Sequence, residues 1–198
     1  HAEFVFENCV DGVPFVDDPA LIDSLNEIID KYKIDYVYPA HDSALLTLTR
    51  EQARLHAEVV TSAEETVEIC RSKNKTYEYL AGAAYLPQSY PDADAVPGYP
   101  VFIKPSVGQG AVGARRIDDR AHLDEALSDG VEYAICEYLP GEEFTVDCFT
   151  DRHGALRFVG PRSRARIRAG ISVRSREFEP DAGILAVAED INRRMSFN

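Results

Sequence analysis

The chain has no apolar run near the roughly 18 residues that a membrane-spanning helix needs. No membrane partner is therefore expected. Its start, HAEFVFENCVDG, lacks the basic stretch and apolar centre of a secretory signal. Four cysteines (Cys9, Cys70, Cys136 and Cys148) form no C-x-x-C pair, and five histidines form no H-E-x-x-H pair. These absences argue against a disulfide frame or a zinc centre and favour reduced thiols in a cytoplasmic protein. There is no excess of basic residues: the net charge of −13 argues against a nucleic-acid-binding surface. No Gly-Lys-Ser/Thr closes a Walker loop, and no repeat or low-complexity segment occurs. The remaining composition, 45% hydrophobic and 28% charged over 198 residues, suits one large globular domain or two small ones.

The most informative stretch runs from Tyr99 to Asp119. The apolar run Val101-Phe102-Ile103 ends in Lys104-Pro105, and a loop with Gly108, Gly110 and Gly113 comes next. Glycines let a backbone approach a ligand closely, and loop N–H groups can face an anion. A lysine just before the loop adds a point charge suited to phosphate. This points to a polyphosphate site. Gly108 to Gly113 also spells G-x-G-x-x-G, but a dinucleotide-binding fingerprint requires a helix to open there. Val112 to Ile117 reads as a strand instead, so the loop is expected to join strand to strand as a flap. The same glycines also suit a plain hairpin.

The rest of the chain alternates strands and helices. Asp18-Pro19 predicts a helix start, followed by Leu21, Ile22, Leu25, Ile28, Ile29 and Tyr32 at helical spacing. Ile34 to Tyr38 predicts a strand, and Asp42 is expected to cap a helix over 43–55. Val59-Val60 is a strand candidate, and Ser62 to Glu65 reads as a capping box. Asn74 is expected to cap a helix from Lys75 to Leu80. Residues 86–100 hold four prolines and read as a linker. Next come a helix around Leu123, a strand from Val131 to Tyr138, a turn at Leu139-Pro140-Gly141, and a hairpin of Glu143 to Phe149 and Ala155 to Val159 about a turn at Asp151 to Gly154. Arg162, Arg164, Arg166 and Arg168 alternate, placing four guanidiniums on one face of an extended strand. They suit phosphate or carboxylate, or a solvated basic strand. Ile184, Val187, Ala188 and Ile191 predict a last helix.

Taken in order, four elements resemble the ATP-grasp superfamily, which includes D-alanine–D-alanine ligase and biotin carboxylase. They are Asn74-Lys75, Pro100 to Pro105, the loop 106–113, and Ile135 to Asp147 (ICEYLPGEEFTVD). The resemblance implies an α/β fold with α+β character in the grasp part: a pre-grasp α/β domain over 1–73 and a grasp domain over 74–198, with a lid at roughly 99–138. It implies ATP as the cofactor. Lys104 and Lys75 contact the phosphates, Gly108, Gly110 and Gly113 cover them, Glu137, Tyr138 and Leu139 read adenine through the backbone, and Glu143 accepts from the ribose. Read alone, Lys75 and Glu143 are equally ordinary surface charges. Arg164 and Arg166 are implied to hold the transferred phosphoryl group or a substrate carboxylate.

The implied reaction is ATP-dependent ligation through an acyl phosphate, with small-molecule carboxylate and amine substrates. Phosphorylation of bicarbonate or carbamate, as in carbamoyl-phosphate synthase, and a non-catalytic nucleotide-binding module are the alternatives. A homodimer is a further possibility. The superfamily holds Mg²⁺ through a late E-x-N-x-R segment; Glu189 to Arg193 has the wrong spacing for it. We therefore expect Mg²⁺ as a second cofactor with its ligands in a segment C-terminal to this one, no complete metal site in this chain, a domain incomplete at both ends, and no activity from this stretch alone.

Overall fold

The computed structural model describes residues 6–168 and 171–197; over 164–168 and 171–174 it describes the backbone alone. Close contacts group the residues into two units, His1–Val67 and Glu68–Asn198.

The first unit holds α1 (Leu21–Tyr32), β1 (Tyr36–Val37), α2 (Asp42–Glu51) and β2 (Glu58–Val59), with α3 (Glu64–Arg71) beginning at its end. Strands β1 and β2 run parallel, with Val37 beside Val59. Leu21, Ile22, Leu48 and Val59 form the core, supported by Leu25, Val37 and Leu55. The apolar stripe of α1 lies where the spacing predicts it, but the helix starts at Leu21. Asp18 turns its carboxylate onto the Ala20 N–H at 2.8 Å, forming a tight turn ahead of the helix instead of capping it. The cap of α2 is likewise His41, whose Nδ1 accepts from Ser43 N–H at 3.2 Å, and Asp42 is the first helical residue.

The second unit takes in the rest of α3 and then α4 (Lys73–Tyr79). Beyond it lies a four-stranded antiparallel sheet in the order β3 (Ser89–Tyr90), β6 (Tyr133–Glu137), β4 (Val101–Pro105) and β5 (Arg115–Ile117). Helix α5 (Arg120–Leu127) covers one face. Asp119 caps this helix, accepting from His122 N–H at 3.0 Å, and that bond holds its carboxyl below the usual range. Val101, Ile103, Ile117 and Ile135 meet Leu123 and Ala126 beneath the helix. The segment 86–100 does more than link. Tyr90 sits opposite Ile135, and Tyr90, Ala93, Val96 and Tyr99 pack against the same core. Prolines mask this pattern because side chains packing from irregular backbone have no fixed period.

A second antiparallel sheet, β7 (Phe144–Thr150), β8 (Leu156–Arg168) and β9 (Ile171–Glu177), precedes α6 (Ala182–Met195). Asn192 of α6 ties down the β7–β8 hairpin: its Nδ2 donates to Gly154 O at 3.0 Å, and Thr150 Oγ1 donates to its Oδ1 at 2.5 Å. Within the hairpin turn, Asp151 accepts from Arg157 Nε at 2.6 Å and from the N–H groups of His153 and Ala155. The guanidinium first, then the amides, hold its carboxyl at about 2 against an ordinary 3.8. A depressed carboxyl stabilises the fold above its unfolded value and loses that contribution as pH falls through its folded value. Replacing Asp151 by Asn should therefore lower the urea midpoint at pH 7. That deficit should persist to pH 5 and narrow by about half at pH 3. A deficit independent of pH would assign the effect to neutral hydrogen bonds.

Candidate nucleotide site

Antiparallel pairing decides which side chains share a face. Phe102 lies opposite Cys136 on one side and Arg116 on the other, and Lys104 lies opposite Ala134. Val101 and Ile103 alternate with them and point into the core under α5. Phe102, Lys104, Arg116 and Cys136 therefore share the face turned away from α5. This face combines a flat apolar group, two cations and a buried thiol whose pKa is raised by its burial.

Lys104 is the last residue but one of β4 and lies beside the glycine loop. Its Nζ lies 5.1 Å from the centre of the Tyr77 ring of α4, a cation–π distance. Helix α4 is fastened to the loop and sheet by its first turn. Ser72 caps it, accepting from Lys75 N–H at 3.3 Å and bonding Ser106 Oγ at 3.0 Å. Lys73 N–H donates to Ser106 O at 2.8 Å, and its Nζ donates to Gly108 O at 3.2 Å. Asn74 is not the cap the sequence suggests. Its Nδ2 donates to Glu132 Oε1 at 2.6 Å and reaches Tyr133 O at 3.4 Å, locking the helix to β6. A serine just before the helix competes well for the cap, and the amide is then free to bridge. Lys75 lies in this turn, with its Nζ 3.0 Å from Glu68 Oε2.

The glycine loop joins β4 to β5, strand to strand. Gly110 and Gly113 hold φ of 65° and 75°, a region that side chains strain to enter. At Gly113 a Cβ would also stand 2.9 Å from Pro105 Cγ. Gly108 has room for one, with 3.5 Å to Pro105 Cβ. The loop thus folds back over the proline next to Lys104.

At the opposite end of this face, β6 runs into Tyr138 and Leu139. Glu137 shares the other face with Val101. Its carboxylate accepts from Gln88 N–H at 2.8 Å, and its own N–H donates to Gln88 O at 2.8 Å. Leu139 is exposed. Glu143 is exposed immediately before β7. Arg164 and Arg166 lie on β8, opposite Ser175 and Arg174 in register, but their side chains lie outside the described residues.

Sequence reading misses several participants. Phe102 shares the Lys104 face by alternation along β4, but Arg116 is placed there by register, which a single strand's spacing cannot reveal. Tyr77 and Lys73 reach the site through the packing of α4. On the second sheet, Arg162 pairs with Asp147 at 2.5 Å, which raises the guanidinium's pKa, and donates to Ser175 Oγ at 3.2 Å. This pair lines a cavity of about 450 Å³ with Phe158, Pro161 and Glu177. A larger depression, about 590 Å³, lies where β5 meets α5, lined by Arg115, Asp118, His122 and Asp129. We place the candidate site at Lys104 because this cation, the flat ring of Phe102 and the glycine loop converge there. Among the described residues, no group of three or more His, Cys, Asp or Glu is placed to hold a metal ion, and no helix is long and apolar enough to cross a membrane.

No family profile and no curated protein matches the chain by sequence. Solved structures do match. The L-amino acid ligase of Bacillus licheniformis superposes with a TM-score of 0.65 at 20% identity, over 93% of this chain and 47% of that one. The biotin carboxylase domain of the Hydrogenobacter thermophilus 2-oxoglutarate carboxylase, solved with MgADP, ADP and bicarbonate, gives 0.71 at 14% identity, over 94% and 48%. The VanG D-Ala:D-Ser ligase of Enterococcus faecalis gives 0.62 at 19%, over 82% and 57%. The chain thus spans about half the length of the first two of these enzymes, and over that length its fold is the ATP-grasp fold.

Proposed function

We propose that the chain is the nucleotide-binding part of an ATP-dependent ligase. The observation that carries this reading is the convergence of Lys104, Phe102 and the glycine loop on one face of the β4 sheet. A flat apolar ring suits a base, and a lysine beside backbone N–H groups suits phosphates. These residues fit a nucleoside triphosphate. Lys104 and Lys75 take the phosphates, Gly108, Gly110 and Gly113 fold over them, and Glu137, Tyr138 and Leu139 offer backbone groups to adenine. Glu143 accepts from the ribose hydroxyls.

Among the described residues no group of three or more acidic, histidine or cysteine side chains would hold a divalent cation. In the proposed reaction a substrate carboxylate oxygen attacks the γ-phosphorus. The bond to the β-bridging oxygen breaks, leaving ADP and an acyl phosphate. An amine nitrogen then attacks the acyl carbon, losing a proton and expelling phosphate. The chain supplies position and positive charge, not a covalent nucleophile. Arg164 and Arg166 hold the transferred phosphoryl group or the substrate carboxylate on this reading.

Two structural neighbours that are ligases acting on amino acids favour a carboxylate substrate. A neighbour solved with bicarbonate supports the second reading, bicarbonate phosphorylation. Titration calorimetry with ATP tests the shared part; the reading requires saturable binding. Phosphate release in the presence of the whole protein then separates the two. Stimulation by amino acids supports ligation, and stimulation by bicarbonate alone supports the other.

A further inference from the structure

On the Lys104 face, the end at Tyr138 and Leu139, the hinge end, carries a pair of side chains that meet across β4. Arg116 of β5 and Tyr138 after β6 flank β4, so their strands stand about two inter-strand steps, roughly 10 Å, apart. Their side chains nevertheless meet: the Arg116 guanidinium carbon lies 4.9 Å from the centre of the Tyr138 ring. Asp118 braces the guanidinium from behind, with its Oδ1 2.6 Å from Nη2 and 2.7 Å from Nε. The pair therefore spans β4 beside Phe102, which occupies the same rung as Arg116. The planar guanidinium and the phenol ring, held together at cation–π distance, offer a flat surface about the size of a nucleobase and lie on the side from which a base would approach Phe102.

We propose that the Arg116–Tyr138 stack is an internal gate that competes with the nucleotide base for the hinge end of this face. This inference rests on the nucleotide reading above. In the closed form the stack covers Phe102; binding separates the two side chains, and Asp118 retains Arg116 at the edge. A protein whose competent state is only partly populated binds more weakly by that fraction. An exposed cation–π contact sets the fraction so that removing it tightens binding by roughly two- to fivefold.

The experiment is calorimetric ATP titration of the unaltered chain, Arg116→Met, Tyr138→Leu and the double variant, with stopped-flow association rates. Both sites are at the surface of the sheet, and circular dichroism checks that each variant folds. Each single variant should bind roughly two- to fivefold tighter and associate faster. The double variant should bind no tighter than the better single, because one contact is removed only once. Equal or weaker binding by both single variants would overturn the gate while leaving the nucleotide site standing. Weaker binding in Arg116→Met alone would also overturn it, making Arg116 a ligand of the nucleotide. Absence of ATP binding in all four proteins would instead remove the nucleotide reading, and the gate with it.

Discussion

Replacing Lys104 by Ala should weaken ATP binding by about 10- to 100-fold, the range expected for losing a charge-assisted contact worth about 1.5–3 kcal/mol. The position makes the test clean. Lys104 is only half-buried, it lies near the end of β4, and its aromatic contact is with Tyr77. Its backbone pairing opposite Ala134 survives the substitution. The fold should therefore keep its stability within about 0.5 kcal/mol, as surface substitutions usually do, while binding falls. Because a ligand at about 100 times its dissociation constant adds about 2.7 kcal/mol, the ATP-induced rise in melting temperature should shrink in parallel. Losing stability and binding together would make Lys104 a structural residue. Losing neither would remove it from the site. ADP should report the same direction, since the resemblance assigns Lys104 to the phosphates nearest the sugar.

How much of this is legible in the sequence depends on the range of the interaction. The strand that carries Lys104 and the strand-to-strand character of the glycine loop come from local pattern: an apolar run before the loop, glycines within it, and a second strand pattern from Val112 to Ile117 in place of a helix. The order of four such local signals is enough for the fold class. Local pattern misassigns caps wherever two polar residues compete. Ser72 wins over Asn74 because Asn74 has a distant partner in Glu132, and His41 precedes Asp42 at the head of α2. Strand β3 is hidden among prolines because its evidence lies in β6, which it pairs with across more than forty residues of chain. Arg116 joins the Lys104 face through cross-strand register, and register is fixed by the whole sheet rather than by either strand. The arginine row is legible as a row, but its use depends on what faces it. At Arg162 a carboxylate, Asp147, faces it from β7, and no spacing within β8 announces that pair.

Ile103 is the converse of its neighbour. It is wholly buried, touches the cluster formed by Val101, Ile117, Leu123, Ala126 and Ile135, and contributes nothing to the Lys104 face. Truncating it to Ala removes three carbons from the centre of the sheet's contact with α5. Such substitutions cost about 2–5 kcal/mol, the upper end applying where backbone on both sides is fixed and the cavity cannot collapse. Strand β4 is paired on both edges, to β5 and β6, so its backbone cannot sink toward the helix. We therefore expect the upper half of that range, a large part of the roughly 5–15 kcal/mol that holds a typical domain together. Urea unfolding followed by circular dichroism measures it, with the slope compared to confirm that the denatured state is unchanged. The molecules that remain folded should bind ATP with a dissociation constant within about twofold of the unaltered chain, because stability and site lie on opposite faces of one strand. A cost below about 1 kcal/mol would mean that the sheet and α5 are not packed as described. Normal stability with weakened ATP binding would reverse the assignment of the two faces, and with it the placement of Phe102, Lys104 and Arg116 on a single surface.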